Sequence, residues 1–248
     1  MLYLSCQLII ISLVIGLSGA MLFTLRWVFQ RIRLKAADDY IRYVQLALIF
    51  WLFALATLSI EDFFTYFDQS IFNLCFASIP PLALIIYLLF NRTFGRLLKL
   101  IPPAWLILIQ AFRLLLELTL WLGYKGNFVP FQLTFEWLNQ DIIVGLTAVF
   151  AATLFFGRQR FLRREAIIWN FFGVLLLFNL ASLLLFSFPS AWQVFKTMPD
   201  SSFVTSVPFI WIPGFLLPFA LAMHLFSLRQ MFLLKPKTRK RFMDGLSN

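Results

Sequence analysis

Charge is what this sequence has least of: Asp, Glu, Lys and Arg together make up 13% of its 248 residues, about half the share found in a soluble domain. A water-soluble globule of this length needs more polar surface than that, so lipid must solvate most of the exterior. Cysteine is scarce as well. Cys6 and Cys75 both lie in apolar runs, without CxxC spacing or an apparent partner. That argues against a disulfide or metal framework and leaves them as small packing residues. His224 is the single histidine, which excludes bis-histidine haem ligation. The last apolar run contains no lysine, which excludes a retinal Schiff base. No Asp-Arg-Tyr closes the third run and no Asn-Pro-x-x-Tyr closes the seventh, so the signatures of G-protein receptors are missing. No cofactor is expected.

What is abundant is apolar: 61% of the chain is hydrophobic. Because lipid cannot hydrogen-bond the backbone, only helices or a closed barrel can span it. Barrel strands alternate over about ten residues, whereas these runs are long and unbroken. The expected fold class is therefore all-α, an integral membrane bundle of seven transmembrane helices forming a single domain over 1–248. A helix needs about 20 residues to cross the hydrocarbon layer. The runs that meet this are about 2–25, 43–60, 70–91, 104–122, 137–156, 166–188 and 208–228. The first is too long for a signal-peptide core and has no basic residue before it, so it reads as a retained helix.

The basic residues orient the bundle. Alternate connections and the tail 229–248 hold 18 of the 21 Lys and Arg residues, leaving Lys125, Lys196 and Arg113 outside that set. The positive-inside rule then puts the N-terminus outside and the C-terminus in the cytoplasm. The net charge of +10 is accounted for by topology, and no nucleic-acid partner is expected. The tail Lys235–Arg241 serves as an anchor and carries the charge to attract anionic lipid.

Ionisable residues inside a membrane are costly and point to function by default. In the fourth run Gln110, Arg113, Glu117 and Trp121 recur at spacings of three and four, which places them on one stripe of a helix. Two readings stand. Either Arg113 is the donor of a site for a polar or anionic ligand, steadied by Glu117, or the two form an internally neutralised pair that fixes packing. A second group, Thr134, Glu136, Asn139, Gln140 and Asp141, lies at the start of the fifth run. Acids there suit the helix macrodipole, although Asp141 is deeper than a cap should be. Asn170, Asn179 and Ser182 add polarity to the sixth run. These groups either line a cavity open to the outside or make interhelical hydrogen bonds.

Other features have a structural and a chemical side. Pro208, Pro213, Gly214 and Pro218 are expected to kink or unwind the seventh helix, and broken helices border sites in transporters. Ser12, Gly16 and Ala20 form a small-residue stripe on the first helix, expected to let a neighbour approach closely. Gly16-Leu17-Ser18-Gly19 matches a short GxSG pattern, with His224 at similar depth, as an intramembrane serine protease would need. His224 itself reads as lying near the cytoplasmic end of the last helix, where a cation is favoured.

Phe112-Arg113, Glu117, Pro130, Thr134-Phe135-Glu136, Asn139, Asp141-Ile142 and Gly145-Leu146-Thr147-Ala148 resemble the pattern of an uncharacterised family of bacterial seven-helix membrane proteins. Its common form is Thr-Phe-Glu-Gly-x-Asn-Phe-Asp-Ile. Asn170, Asn179, Pro208-Phe209, Trp211, Pro213 and His224 fit the same resemblance, which covers roughly 102–228. This chain departs from it at Trp137, where the family has Gly, and at Gln140, where it has Phe. The resemblance implies topology and site positions, and no reaction.

The expectation is a non-enzymatic protein of the bacterial cytoplasmic membrane that binds or moves a small polar or anionic molecule. Arg113 is its principal ligand group, Glu117 and Asp141 its electrostatic partners, Glu136 stands at the mouth, and Asn139 and Asn179 are neutral donors. The alternative is an accessory subunit with a membrane-protein partner. A third is an enzyme on a lipid-soluble substrate, using Glu136 and Asp141 as acid and base.

Overall fold

The computed structural model describes residues 1–65, 70–157 and 160–234; Asp68, Arg158 and the tail Lys235–Arg241 lie outside them. The described residues form helices and turns. The helices are α1 (Leu2–Arg31), α2 (Ala37–Ile60), α3 (Ser70–Phe90), α4 (Arg92–Leu98), α5 (Pro103–Leu108), α6 (Phe112–Lys125), α7 (Ile142–Phe156), α8 (Arg163–Phe186) and α9 (Leu217–Leu233). A 3₁₀ turn at Ile109–Ala111 joins α5 to α6, and a π-helical turn at Ile212–Leu216 opens into α9. Among the described residues, six helical stretches are long and apolar enough to cross a membrane: Leu2–Arg31, Ala37–Ile60, Phe72–Phe90, Pro103–Lys125, Arg163–Phe186 and Ile212–Leu233.

The fifth expected span is different. Its helix begins at Ile142 and not near Trp137. Its 15 residues reach about 22 Å at 1.5 Å each, short of the roughly 30 Å of hydrocarbon. Before it runs a segment without α-helix, 126–141, which holds a 3₁₀ turn at Phe131–Leu133 and has Gln132, Leu133, Thr134, Asn139 and Asp141 fully buried. Irregular backbone is tolerated at membrane depth only where protein encloses it; here the polar side chains Gln132, Thr134, Asn139 and Asp141 are enclosed, while Glu136, Trp137, Leu138 and Gln140 are exposed. The basic flank after the first span differs too. The helix continues through Arg26 to Arg31, and α2 already starts at Ala37. Arg is a good helix former, so the chain keeps its helix where it leaves the apolar layer.

Ile212–Leu233 is the most enclosed long helix and α2 the least. The outer surface is apolar: Phe50, Phe53, Phe90, Phe150, Leu175 and Phe178 all point away from the core, as lipid-facing residues do. One end of the bundle is an aromatic cluster in which Tyr3 meets Phe128 and Phe209, and Phe131 stacks near Trp137 at 4.3 Å. At the other end Trp27 meets Trp105 and Phe94 meets Phe226. There the Arg229 guanidinium donates to the carbonyls of Leu88 and Asn91, closing the last turn of α3. The Leu88 carbonyl also accepts from the Asn91 N–H and the Asn91 carbonyl from the Gly95 N–H. The guanidinium is thus a second donor where α3 gives way to α4, and a cation suits the C-terminal end of a helix.

Pro218 explains the break above α9. It has no N–H, so a carbonyl in the turn before it is left without a helical donor. Trp51 Nε1 donates to the Gly214 carbonyl at 3.0 Å, and Ser78 Oγ donates to the Pro213 carbonyl at 2.8 Å. Side chains of α2 and α3 thus repair the backbone of the last span. The small-residue stripe of α1 does not behave as expected. Ser12 and Gly16 are exposed, and a methyl group at Gly16 meets nothing within 4 Å. The inward face of α1 is instead Cys6, Ile10, Leu13, Val14 and Leu17.

Candidate functional site

Arg113 sits near the middle of Pro103–Lys125 and has no accessible surface. Its partner is Asp141, not Glu117. Nε donates to Asp141 Oδ2 at 2.6 Å, and Nη2 pairs with Asp141 Oδ1. Such a two-pronged arrangement is the strong form of the arginine–carboxylate contact. Asp141 immediately precedes α7 but makes no capping bond with its side chain. Its carboxylate is turned to the arginine instead.

Nη1 of the same guanidinium lies 2.8 Å from His224 Nε2 and 3.4 Å from the Gly173 carbonyl. Arginine has only donors to offer, so Nε2 accepts. The imidazole proton is then on Nδ1, which donates to Asn170 Oδ1 at 2.9 Å. Asn170 Nδ2 in turn donates to the Ala166 carbonyl and to Ser227 Oγ. His224 is therefore a neutral, fully buried acceptor in mid-helix, not a cation at a helix end. Two glycines make room for this. A Cβ at Gly173 would overlap the His224 ring, and a Cβ at Gly145 would overlap the backbone of Leu114. Gly145 thus lets α7 press against α6 beside Arg113.

Glu117 lies one turn further along the stripe and is also fully buried. Its Oε2 accepts from Asn139 Nδ2 at 2.6 Å, and Oε1 has no partner. The same Asn139 amide also donates to the Leu133 carbonyl, while its Oδ1 accepts from the Asp141 backbone N–H. Asn139 therefore ties the segment 126–141 to Glu117 on one side and to Asp141 on the other. Gln110, one turn before Arg113, donates to the Ala220 carbonyl and leaves its own Oε1 bare. Near the stripe, the unfilled capacity outside the Arg113–Asp141 pair is thus on two acceptor oxygens.

The remaining candidates fall outside this set. Asn179 donates to the Leu138 carbonyl at 2.9 Å and so supports the segment's backbone from α8. Glu136 is exposed; it accepts from Trp121 Nε1 at 2.8 Å and from Lys125 Nζ at 3.2 Å. Those hydrogen bonds, with the lysine charge behind the second, hold its carboxyl below the usual carboxylate range. Glu136 and Asp141 are engaged with different partners, so they do not form an acid–base pair. The GxSG serine is likewise committed elsewhere: Ser18 Oγ donates to the Val14 carbonyl of its own helix. Among the described residues, no three His, Cys, Asp or Glu side chains group as metal ligands.

The sequence brings together Arg113, Glu117, Asn139 and Asp141 and counts Asn170 among the polar residues of a cavity, but it does not join His224, Ser227 or Gly173 to Arg113. The signal for His224 was present: a lone imidazole inside an apolar run must find a partner, and Arg113 was the nearest unexplained donor. Comparison of the chain with protein-family models, curated proteins and solved structures gives no match.

Proposed function

We propose that the chain is a seven-span protein of a bacterial cytoplasmic membrane, N-terminus outside, which binds or translocates a small polar solute at the Arg113–Glu117 stripe. The observation that supports this is the convergence of a buried charged network with two interruptions of helix. The segment 126–141 ends beside Arg113, and the π turn Ile212–Leu216 lies in the span that carries His224. Discontinuous helices next to buried polar groups are how many transporters build a midplane site. The segment also supplies the depth that α7 lacks, which favours counting it as the seventh crossing. The distribution of Lys and Arg favours the orientation.

The arrangement narrows the solute. Asp141, His224 and Gly173 already engage Arg113, so an anion has to displace one of them. Gln110 Oε1 and Glu117 Oε1 are open acceptors and suit a solute that brings O–H or N–H donors. The test is thermal unfolding of the purified protein in detergent with ethanolamine, glycerol, acetate or inorganic phosphate. The donor-bearing ethanolamine or glycerol is expected to raise the midpoint, and Arg113→Leu/Glu117→Leu to abolish the rise. If no probe shifts the wild type, or the double variant responds as the wild type does, the reading fails.

A second reading is an accessory subunit. It is favoured by α2, on which the large apolar side chains Tyr43, Leu46, Phe50 and Phe53 are exposed. Stoichiometric copurification of another membrane protein in mild detergent, with α2 protected from lipid-soluble labels, would support it over the first.

A further inference from the structure

We propose that Glu117 is a proton-binding site, exchanging its proton with the side of the membrane that the segment 126–141 faces. Four buried titratable or charged side chains meet here: Arg113, Asp141, His224 and Glu117. Arg113 and Asp141 cancel at contact. His224 is neutral, since it accepts from Arg113 and donates to Asn170. An ionised Glu117 is then a negative charge with no counter-ion of its own, one donor on Oε2 and a bare Oε1. An unpaired ion at this depth is strongly disfavoured, because neither water nor a counter-charge replaces its lost hydration. A proton on the bare oxygen removes the charge and leaves the Asn139 bond in place.

No other group around Glu117 can do this for it. On its own helix, Lys125 is exposed and held by Glu136. From α1 the facing titratable groups are the Cys6 thiol, which reaches the Thr119 carbonyl at 3.5 Å, and Tyr3 at the aromatic end. Helix α7 carries none between Ile142 and Phe156, α8 carries them only at its start (Arg163, Arg164 and Glu165), and α9 carries His224 and Arg229. Asn139, which holds Glu117, is itself buried but is flanked in sequence by the exposed Leu138 and Gln140, and the proposed exchange is on this side. The step is an acid–base one: a water-derived proton forms an O–H bond at a Glu117 carboxylate oxygen and returns to water on release.

The inference extends the solute reading, because a proton here supplies the ion that drives a solute. The test reads the proton with no solute present, so either can fail alone. The chain has four glutamates, and Glu61, Glu136 and Glu165 are exposed. The experiment is infrared difference spectroscopy of the full chain in lipid nanodiscs, with carboxyl-labelled glutamate, across a pH series in water and in deuterium oxide. The expected result is a label-sensitive carboxylic-acid carbonyl band that grows as pH falls and takes up deuterium slowly. It is lost in Glu117→Gln, which keeps an acceptor for Asn139, and unchanged in Glu136→Gln. The label and the slow exchange single out Glu117 even if the Gln variant does not fold. A band that is absent, does not change with pH, or survives Glu117→Gln overturns the proposal.

Discussion

Replacing Asp141 with Leu strips both carboxylate contacts from the Arg113 guanidinium and leaves it with His224 and the Gly173 carbonyl. Breaking a buried pair by removing one partner costs about 3–5 kcal/mol, most of it the burden of the stranded charge. Arg113→Leu strands Asp141 and also uncovers His224 Nε2. A buried acceptor left without a donor costs roughly 1–3 kcal/mol more, so this is the worse of the two single variants. The double variant removes both charges together. Only His224 Nε2 is then bare, and the expected loss falls to roughly 1–3 kcal/mol. The double variant should therefore be more stable than either single one. The assay is denaturant unfolding of the purified chain in bicelles, followed by circular dichroism, for the wild type and the three variants. If the double variant loses the sum of the single losses, the pair is not the coupled unit described here.

Three further outcomes follow from the packing. Gly145→Ala should destabilise by about 1–3 kcal/mol, as overpacking does, because its methyl meets the Leu114 backbone. Gly16→Ala, with open space around it, should stabilise by a few tenths of a kcal/mol to about 1 kcal/mol; the same unfolding assay separates them. Trp51→Phe leaves the Gly214 carbonyl without its donor and should cost roughly 1–3 kcal/mol, read as a lowered unfolding midpoint. The Glu136 carboxyl is held below its ordinary range by Trp121 and Lys125. Its contribution is thus present above the ordinary carboxylate pKa and fades as pH falls through the lowered value. A pH series of wild type against Glu136→Gln should show that fading in the wild type alone.

The helical membrane class was legible because it follows from composition and run length, which no tertiary contact can reverse. The helix of the fifth run starts later than its apolar pattern suggests, for a physical reason. Residues from Trp137 to Asp141 adjoin an apolar run, but Asn139 and Gln140 bond to nearby backbone carbonyls and so offer the chain an alternative to helix. Arg113 and Glu117 were found by their cost in lipid. Asp141 is among the partners expected for Arg113, but spacing of three and four on one helix makes Glu117 look like the other half of the pair. Arg113 instead bonds Asp141 and His224 across the bundle, and Glu117 bonds Asn139. Arg229 shows the same limit. It reads as a boundary charge, yet it closes α3 from far along the chain.

The polar residues of the site divide by what would happen without them. Asn139, Thr134, Gln140 and Asn179 bond to carbonyls of the segment 126–141, which otherwise could not remain inside the bundle. Asp141 answers Arg113, and Arg113 answers His224 and Gly173, so this part of the network accounts for itself as structure. It joins α6, the start of α7, α8 and α9 at one depth. Glu117 is the exception. Removing its charge would relieve a cost rather than create one, and its free oxygen serves no neighbour. A costly group that the fold does not need is the stronger pointer to function. The donors of Arg113 are engaged, and it organises the segment through Asp141, whereas Glu117, one turn away, is the carboxyl that the segment covers through Asn139.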